Sequence, residues 1–214
     1  MITSREQLQQ LYAAPAERAL LKQQWELDRY CLRFIALSPF LVMSTGGSNG
    51  SLLDASPRGG KPGFVMAADS NTLLIPDAGG NNRLDSLCNL VDDPRLGLLF
   101  FVPGFDETLR VNGTAQLRDE AHYTALFASD YFRPKLVIEV NVKEAYLHCA
   151  KALMRSKLWS AEAQVSRNVM PSLNQIIQSQ MGITTEPEAQ ELMVARYKAL
   201  IAAEELKKKW QGKY

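Results

Sequence analysis

Three stretches of this 214-residue chain carry the side-chain types that chemistry would need. The first is Ser56-Pro57-Arg58-Gly59-Gly60, a hydroxyl and a guanidinium set in flexible backbone. Arginine grips phosphate through two parallel N–H bonds, so Arg58 suits an anionic ligand. The second is Pro76-Asp77-Ala78-Gly79-Gly80-Asn81-Asn82-Arg83. Its glycines let the backbone curl and present N–H groups, and Asn81 or Asn82 suits the cap of a helix that begins near Arg83. A helix start beside a cation is an anion site. Arg58 and Arg83 together would neutralise a phosphate dianion. The third stretch runs from His148-Cys149-Ala150-Lys151 to Arg155-Ser156 and Trp159. On one helix, spacings of three, four and four put His148, Lys151, Arg155 and Trp159 on one face, a stripe that fits a charged aromatic ligand. Taken singly, each stretch also reads as an ordinary turn or solvated face with incidental cations.

A fourth segment, Thr108-Leu109-Arg110-Val111-Asn112-Gly113, alternates as a strand, with Thr108 and Arg110 pointing the same way. Other chemistries lack their parts. Two histidines and three scattered cysteines form no metal-ligand pattern. Gly46-Gly47-Ser48-Asn49-Gly50 spells Gly-x-Ser-x-Gly but reads as a turn rather than a strand-to-helix elbow, and the chain has no Gly-x-Gly-x-x-Gly fingerprint after a strand and no Lys-Ser/Thr to complete a P-loop.

The elements that must position these groups follow from the patterning. Ser4 and Gln7 open a first helix, and a second begins at Pro15 and runs on through Leu20, Leu27, Cys31 and Phe34 to a stop at Ser38-Pro39. Phe40–Ser44, Phe64–Met66, Thr72–Ile75, Leu96–Val102, Thr108–Leu117 and Leu136–Val142 read as strands, the second and third paired across Asp69-Ser70-Asn71. The first strand ends in a turn over 46–50. Short helices at Leu84–Val91 and His122–Ala128 are too brief to serve as crossovers, so the strands are expected to be antiparallel, in a closed or partly closed barrel. From residue 143 onward the chain is helical, with Pro171 and Pro187 near helix starts and a charged, solvated run over 204–209.

A net charge of +1, with 46% apolar and 22% charged residues, excludes a general nucleic-acid or anionic-membrane binder. Cys31, Cys88 and Cys149 read as reduced thiols. Met1–Glu6 lacks the layout of a secretory leader, and no apolar run approaches the roughly 20 residues of a membrane span. A cytoplasmic location is the expectation.

The order of these motifs resembles a known family. Ser-Pro-Phe-Leu-Val-Met-Ser-Thr (38–45), Asp-Ala-Ser-Pro-Arg-Gly (54–59) and Leu-Leu-Ile-Pro-Asp with Gly-Asn-Asn-Arg-Leu-Asp-Ser-Leu (73–87) come first. Asp-Pro-Arg-Leu-Gly-Leu-Leu-Phe, Glu-Thr-Leu-Arg-Val-Asn-Gly (107–113) and His-Cys-Ala-Lys-Ala-Leu-x-Arg-Ser-x-Leu-Trp (148–159) follow. Over roughly 15–160 this is similar to the pyridoxamine 5′-phosphate oxidase-like, FMN-binding split β-barrel proteins, nearest to a subgroup of FMN-dependent enzymes. The resemblance implies a mainly β, α+β fold, an antiparallel Greek-key split barrel at 39–165; helices at 1–38 are expected to pack on it, and a helical extension at 166–214 lies outside the clearest part of the match. It also implies a homodimer with FMN at the subunit interface and an oxidoreductase acting on a small substrate. The implied cofactor contacts are Ser56, Arg58 and Gly59, then Ile75, Pro76 and Asp77 along the ring edge, then Asn82 and Arg83. Thr108 or Arg110 would lie near the flavin, with Arg110 or Arg155 stabilising its reduced form. Lys151, Arg155, Ser156 and Trp159 would come from the C-terminal segment. The alternatives are a non-catalytic flavin-binding module, or a deazaflavin or haem in the same fold. Where the oxidase carries a C-terminal Trp and an Arg-x-His substrate motif, this chain reads as helices from Pro187 to Tyr214 without that motif, so vitamin B6 oxidation is not expected.

Overall fold

The computed structural model describes residues 1–47, 52–128 and 133–206. The chain begins with α1 (Arg5–Leu11), α2 (Glu17–Leu21) and α3 (Arg29–Leu37). The apolar period that predicts a single helix from Pro15 to Phe34 is broken after Leu21. Asp28 accounts for the restart: its carboxylate accepts from the backbone N–H groups of Tyr30 at 3.0 Å and Cys31 at 2.8 Å, which starts a new helix. The apolar face of α3, Cys31, Phe34 and Ile35, is buried, whereas α1 and α2 bury nothing.

Among the described residues seven strands follow: β1 (Phe40–Gly46), β2 (Leu53–Gly59), β3 (Met66–Ala67), β4 (Thr72–Pro76), β5 (Arg95–Phe101), β6 (Thr108–Arg118) and β7 (Val137–His148). Helix α4 (Asp85–Asp92) lies between β4 and β5, and α5 (Ala121–Ala125) between β6 and β7. The strands form one antiparallel sheet in the order β2-β1-β5-β6-β7-β4-β3. Strands β2 and β3 remain edges, so the sheet curls round its core as a split barrel without closing. Pro57 lies within β2, where an edge tolerates the missing backbone donor.

Alternation sets the two faces of the sheet. Leu41 and Met43 of β1, Leu98 and Phe100 of β5, Leu109 and Val111 of β6, and Val140 of β7 are essentially inaccessible and form the core with α3 and α4. Full burial of each such side chain contributes about 1.5–3 kcal/mol. Phe40, Val42, Leu99, Phe101, Arg110 and Tyr146 occupy the opposite face and are only partly covered. A bulge between Asn112 and Gly113 lets β6 follow β7. A Cβ on Gly113 would lie 2.2 Å from the Asn141 carbonyl oxygen, so only glycine fits there.

Beyond the sheet come α6 (Lys151–Ser156), α7 (Leu173–Met181) and α8 (Gln190–Leu206). Ser172 and Gln175 make a capping box at α7, and Gly182 ends it with φ +68°. No helix among the described residues is long and apolar enough to cross a membrane. Residues 48–50 of the expected turn and 207–209 of the expected charge run lie outside the described residues.

Candidate functional site: a basic cavity at the split

At the open seam of the barrel, the edge strand β2 faces the end of β4. Arg58 of β2 reaches across it, its Nη1 donating to Asp77 Oδ1 at 3.0 Å. Both side chains are less than one-fifth exposed, so this pair is shielded more than a surface ion pair. It borders a cavity of about 900 Å³ between β2, the segment from Asp77 to Leu87, and the segment from Arg133 to Leu136. Arg58, Arg83, Arg133 and Lys135 supply basic groups, and Asp77 and Asp85 acidic ones, so the lining is positive on balance.

The floor is a hydroxyl–carboxylate cluster. Ser86 Oγ donates to Asp54 Oδ2 at 2.6 Å and lies 2.9 Å from Ser56 Oγ, which itself donates to Asp54 Oδ2 at 2.8 Å. The Ser86 hydroxyl, followed by that of Ser56 and the nearby Arg58 charge, holds the Asp54 carboxyl below its ordinary range against the opposing effect of burial. The register places Ser56 opposite Met43 and Arg58 opposite Leu41, on the inner face of β2, and α4 brings Ser86 over them.

Two details of the seam differ from the sequence expectation. Gly79 and Gly80 are not the strained positions; Asn82 and Leu84 take left-handed backbone, with φ of 59° and 55°. Helix α4 begins at Asp85, and its N-cap Leu84 makes no side-chain bond, so neither asparagine caps it. Asn81 Oδ1 instead accepts from the Arg83 backbone N–H at 3.0 Å, closing a local turn. Arg83 pairs with Asp85 at 2.6 Å and is 76% exposed, so its guanidinium lies at the rim.

The sequence profile of a family described as pyridoxamine 5′-phosphate oxidase matches residues 27–149, more than half of the chain and the whole of the sheet. This chain belongs to that family. No curated protein matches the sequence. Among solved structures, the HupZ protein of Group A Streptococcus is similar at 16% identity, with a TM-score of 0.45 over 56% of this chain and 93% of that one. An FMN-binding protein from Syntrophomonas wolfei subsp. wolfei is 14% identical, with a TM-score of 0.42 over 68% of this chain and 93% of the other. General Stress Protein 26 from Bacillus anthracis is 13% identical, with a TM-score of 0.41 over 54% and 89% respectively.

Within this family member the expected contacts fall into three groups. Ser56, Arg58, Asp77, Asn82 and Arg83 meet around the cavity. Gly59 and Pro76 lie just outside the lining, and Ile75 is fully buried in the core. Thr108 and Arg110 form the second group, on the outward face of β6. The third group does not form a stripe. His148 is the last residue of β7, α6 covers only Lys151–Ser156, and Lys157 ends it with left-handed backbone. Trp159 therefore leaves the helix and donates its indole N–H to the Phe105 carbonyl at 2.7 Å. Ser156 Oγ donates back to the Leu153 carbonyl, and neither Lys151 nor Arg155 lines the cavity of its own chain.

Sequence reasoning missed Arg133, Lys135, Asp54 and Ser86. The basic triplet Arg133-Pro134-Lys135 just before β7 was the available signal for the first two. Asp54 and Ser86 are 32 residues apart, and nothing in their local pattern joins them.

Proposed function

We propose that this protein binds FMN and acts as a homodimeric, FMN-dependent oxidoreductase on a small substrate. The observation that carries this reading is the orphaned Nε of Arg58, a buried donor without a partner among the described residues, at the wall of a cavity lined by four basic side chains. A buried, unpaired guanidinium N–H is costly, and a phosphate oxygen would satisfy it with a charge-assisted bond. Arg58 would hold the phosphate end, assisted by Ser56, Asn82 and the Arg133–Lys135 segment, while Arg83 at the rim would add long-range attraction. Bound flavin would supply the hydride chemistry, and this chain's residues would hold it and set its charge environment. This chemistry requires no protein nucleophile.

The second copy is supported by the outward sheet face. Phe40 is 39% exposed and packs its ring 5.9 Å from Phe101, beside half-covered Val42 and Leu99. Such a face suits a self-complementary contact. In that arrangement Lys151, Arg155 and Trp159 of one protomer would approach the cavity of the other.

The visible spectrum of the purified protein tests the reading. Two flavin bands, released on denaturation as FMN and not FAD, are expected, with elution near twice the 23.9 kDa chain mass. A colourless protein that takes up no added FMN would overturn the cofactor assignment. A yellow protein inert to every reductant would reduce it to a flavin-binding module.

A further inference from the structure

A second group of cations lies on the other face of the sheet, away from the cavity. Three basic side chains converge on the ring of Tyr146. Arg110 sits opposite Tyr146 in the β6–β7 register, with its guanidinium carbon 4.8 Å from the ring centroid and an Nη2 donating to the phenol oxygen. Lys22 comes from the distant N-terminal segment: its Nζ lies 5.0 Å from the same centroid and donates to the Leu147 carbonyl at 2.8 Å. The His148 ring is 5.1 Å from that of Tyr146. The Gln24–Ala145 bridge, with backbone bonds of 2.9 and 2.8 Å, fixes the Lys22 segment against β7.

None of these three basic groups forms an ion pair among the described residues. The neighbouring carboxylate is already engaged, since Glu144 accepts from both Gln23 and Asn112 at 2.5 Å. The Nε of Arg110 is buried and has no partner among the described residues. Burial, and then the Arg110 and Lys22 charges, hold His148 below the ordinary imidazole range. Like charges gathered without a counter-charge cost free energy, and an oxyanion seated among them would remove that cost.

We propose that Lys22, Arg110 and His148, gathered round Tyr146, form an oxyanion-binding site that takes the carboxylate or phosphate group of a small organic substrate. Calling that ligand a substrate rests on the flavin reading above; the anion site itself does not. Arg110 supplies the planar fork, Lys22 a mobile point charge, and Tyr146 an apolar floor with a hydroxyl at its edge.

The test uses flavin-free protein and the ring C–H signals of its two histidines in ¹H–¹³C NMR, with His148→Gln giving the assignment. Inorganic phosphate and acetate are titrated separately at constant ionic strength set with chloride. With at least one of the two, the His148 signal is expected to shift and its pKa to rise by about one unit, while His122 stays still. Lys22→Gln, a change at an exposed side chain, should weaken the response several-fold, and Lys22→Gln with Arg110→Gln should abolish it. Arg58→Ala should leave it intact. No His148 response to either anion would overturn the proposal, as would a response undiminished in Lys22→Gln. A response lost in Arg58→Ala would assign the anion to the cavity and equally overturn it. The visible spectrum tests the flavin reading separately, so the two can fail independently.

Discussion

Arg58 and Arg110 make an instructive pair. Each has a buried Nε without a partner among the described residues, and each sits on a strand of the same sheet. Arg58 lies on the inner face at the seam, braced by the Asp77 carboxylate and flanked by the Asp54 cluster. Arg110 lies on the outer face and is braced by an aromatic ring and a phenol, with Lys22 and His148 for neighbours. The first environment is partly neutralised and preshaped, so an arriving anion meets a held guanidinium at modest desolvation cost. The second is uncompensated, and its positive field falls instead on a histidine. A charge braced by a carboxylate positions; a charge braced by a ring stays available.

The largest effect should come from Arg58→Ala. Loss of a charge-assisted bond costs about 1.5–3 kcal/mol, so FMN should bind roughly ten- to a hundredfold more weakly. Riboflavin, which lacks the phosphate, should bind the variant and the parent alike. Arg110→Ala should instead leave the FMN-to-riboflavin ratio unchanged. Fluorescence titration with both flavins reads this directly, and a collapsed ratio in Arg110→Ala would dissolve the contrast between the faces.

Asp77→Asn sharpens the same contrast. It keeps an oxygen for the guanidinium but removes the competing charge, so FMN should bind a few-fold tighter by the same titration. Weaker binding would mean that Asp77 chiefly orders Arg58. Arg83→Ala should weaken FMN only severalfold, because this side chain is exposed and paired with Asp85.

A smaller effect concerns acid. Asp54 has a folded-state pKa lowered from 3.8, chiefly by the Ser86 hydroxyl. Its contribution to stability is therefore complete above the unfolded value and lost as pH falls through the lower folded one. Asp54→Asn should flatten the acid limb of urea-unfolding midpoints between neutral pH and about pH 3. An unchanged limb would show that the cluster does not hold the ionised carboxylate.

The smallest effect is chemical. Burial, assisted by the Asp28 carboxylate, pushes the Cys31 thiol up to about 12, while Cys88 on α4 and Cys149 beside the outer cluster are exposed. Two thiols of the native protein should react with a disulfide reagent at neutral pH and the third only after unfolding. Ready reaction of all three would place Cys31 outside a closed core.

Much of the sheet was legible because strands announce themselves locally. Buried alternation, turn residues and lengths gave six of the strands, and the brevity of the helices gave the antiparallel sense. Strand β2 went unread as a strand because Pro57 and Arg58 look like a turn, and only pairing with β1 makes an edge strand of them. The stripe over His148–Trp159 failed because periodicity assumes one helix. Pairing carries β7 on to His148, and Lys157 then turns the chain away.

By itself, the sequence determined the fold class and the arginines and their order, because these depend on residue type and short-range period. The tertiary structure decided which cations share a space. Arg58 meets Asp77 across 19 residues, Asp54 meets Ser86 across 32, and Lys22 reaches the Leu147 carbonyl across 125. Contacts between positions so far apart follow from strand order and sheet curvature, which no local pattern encodes.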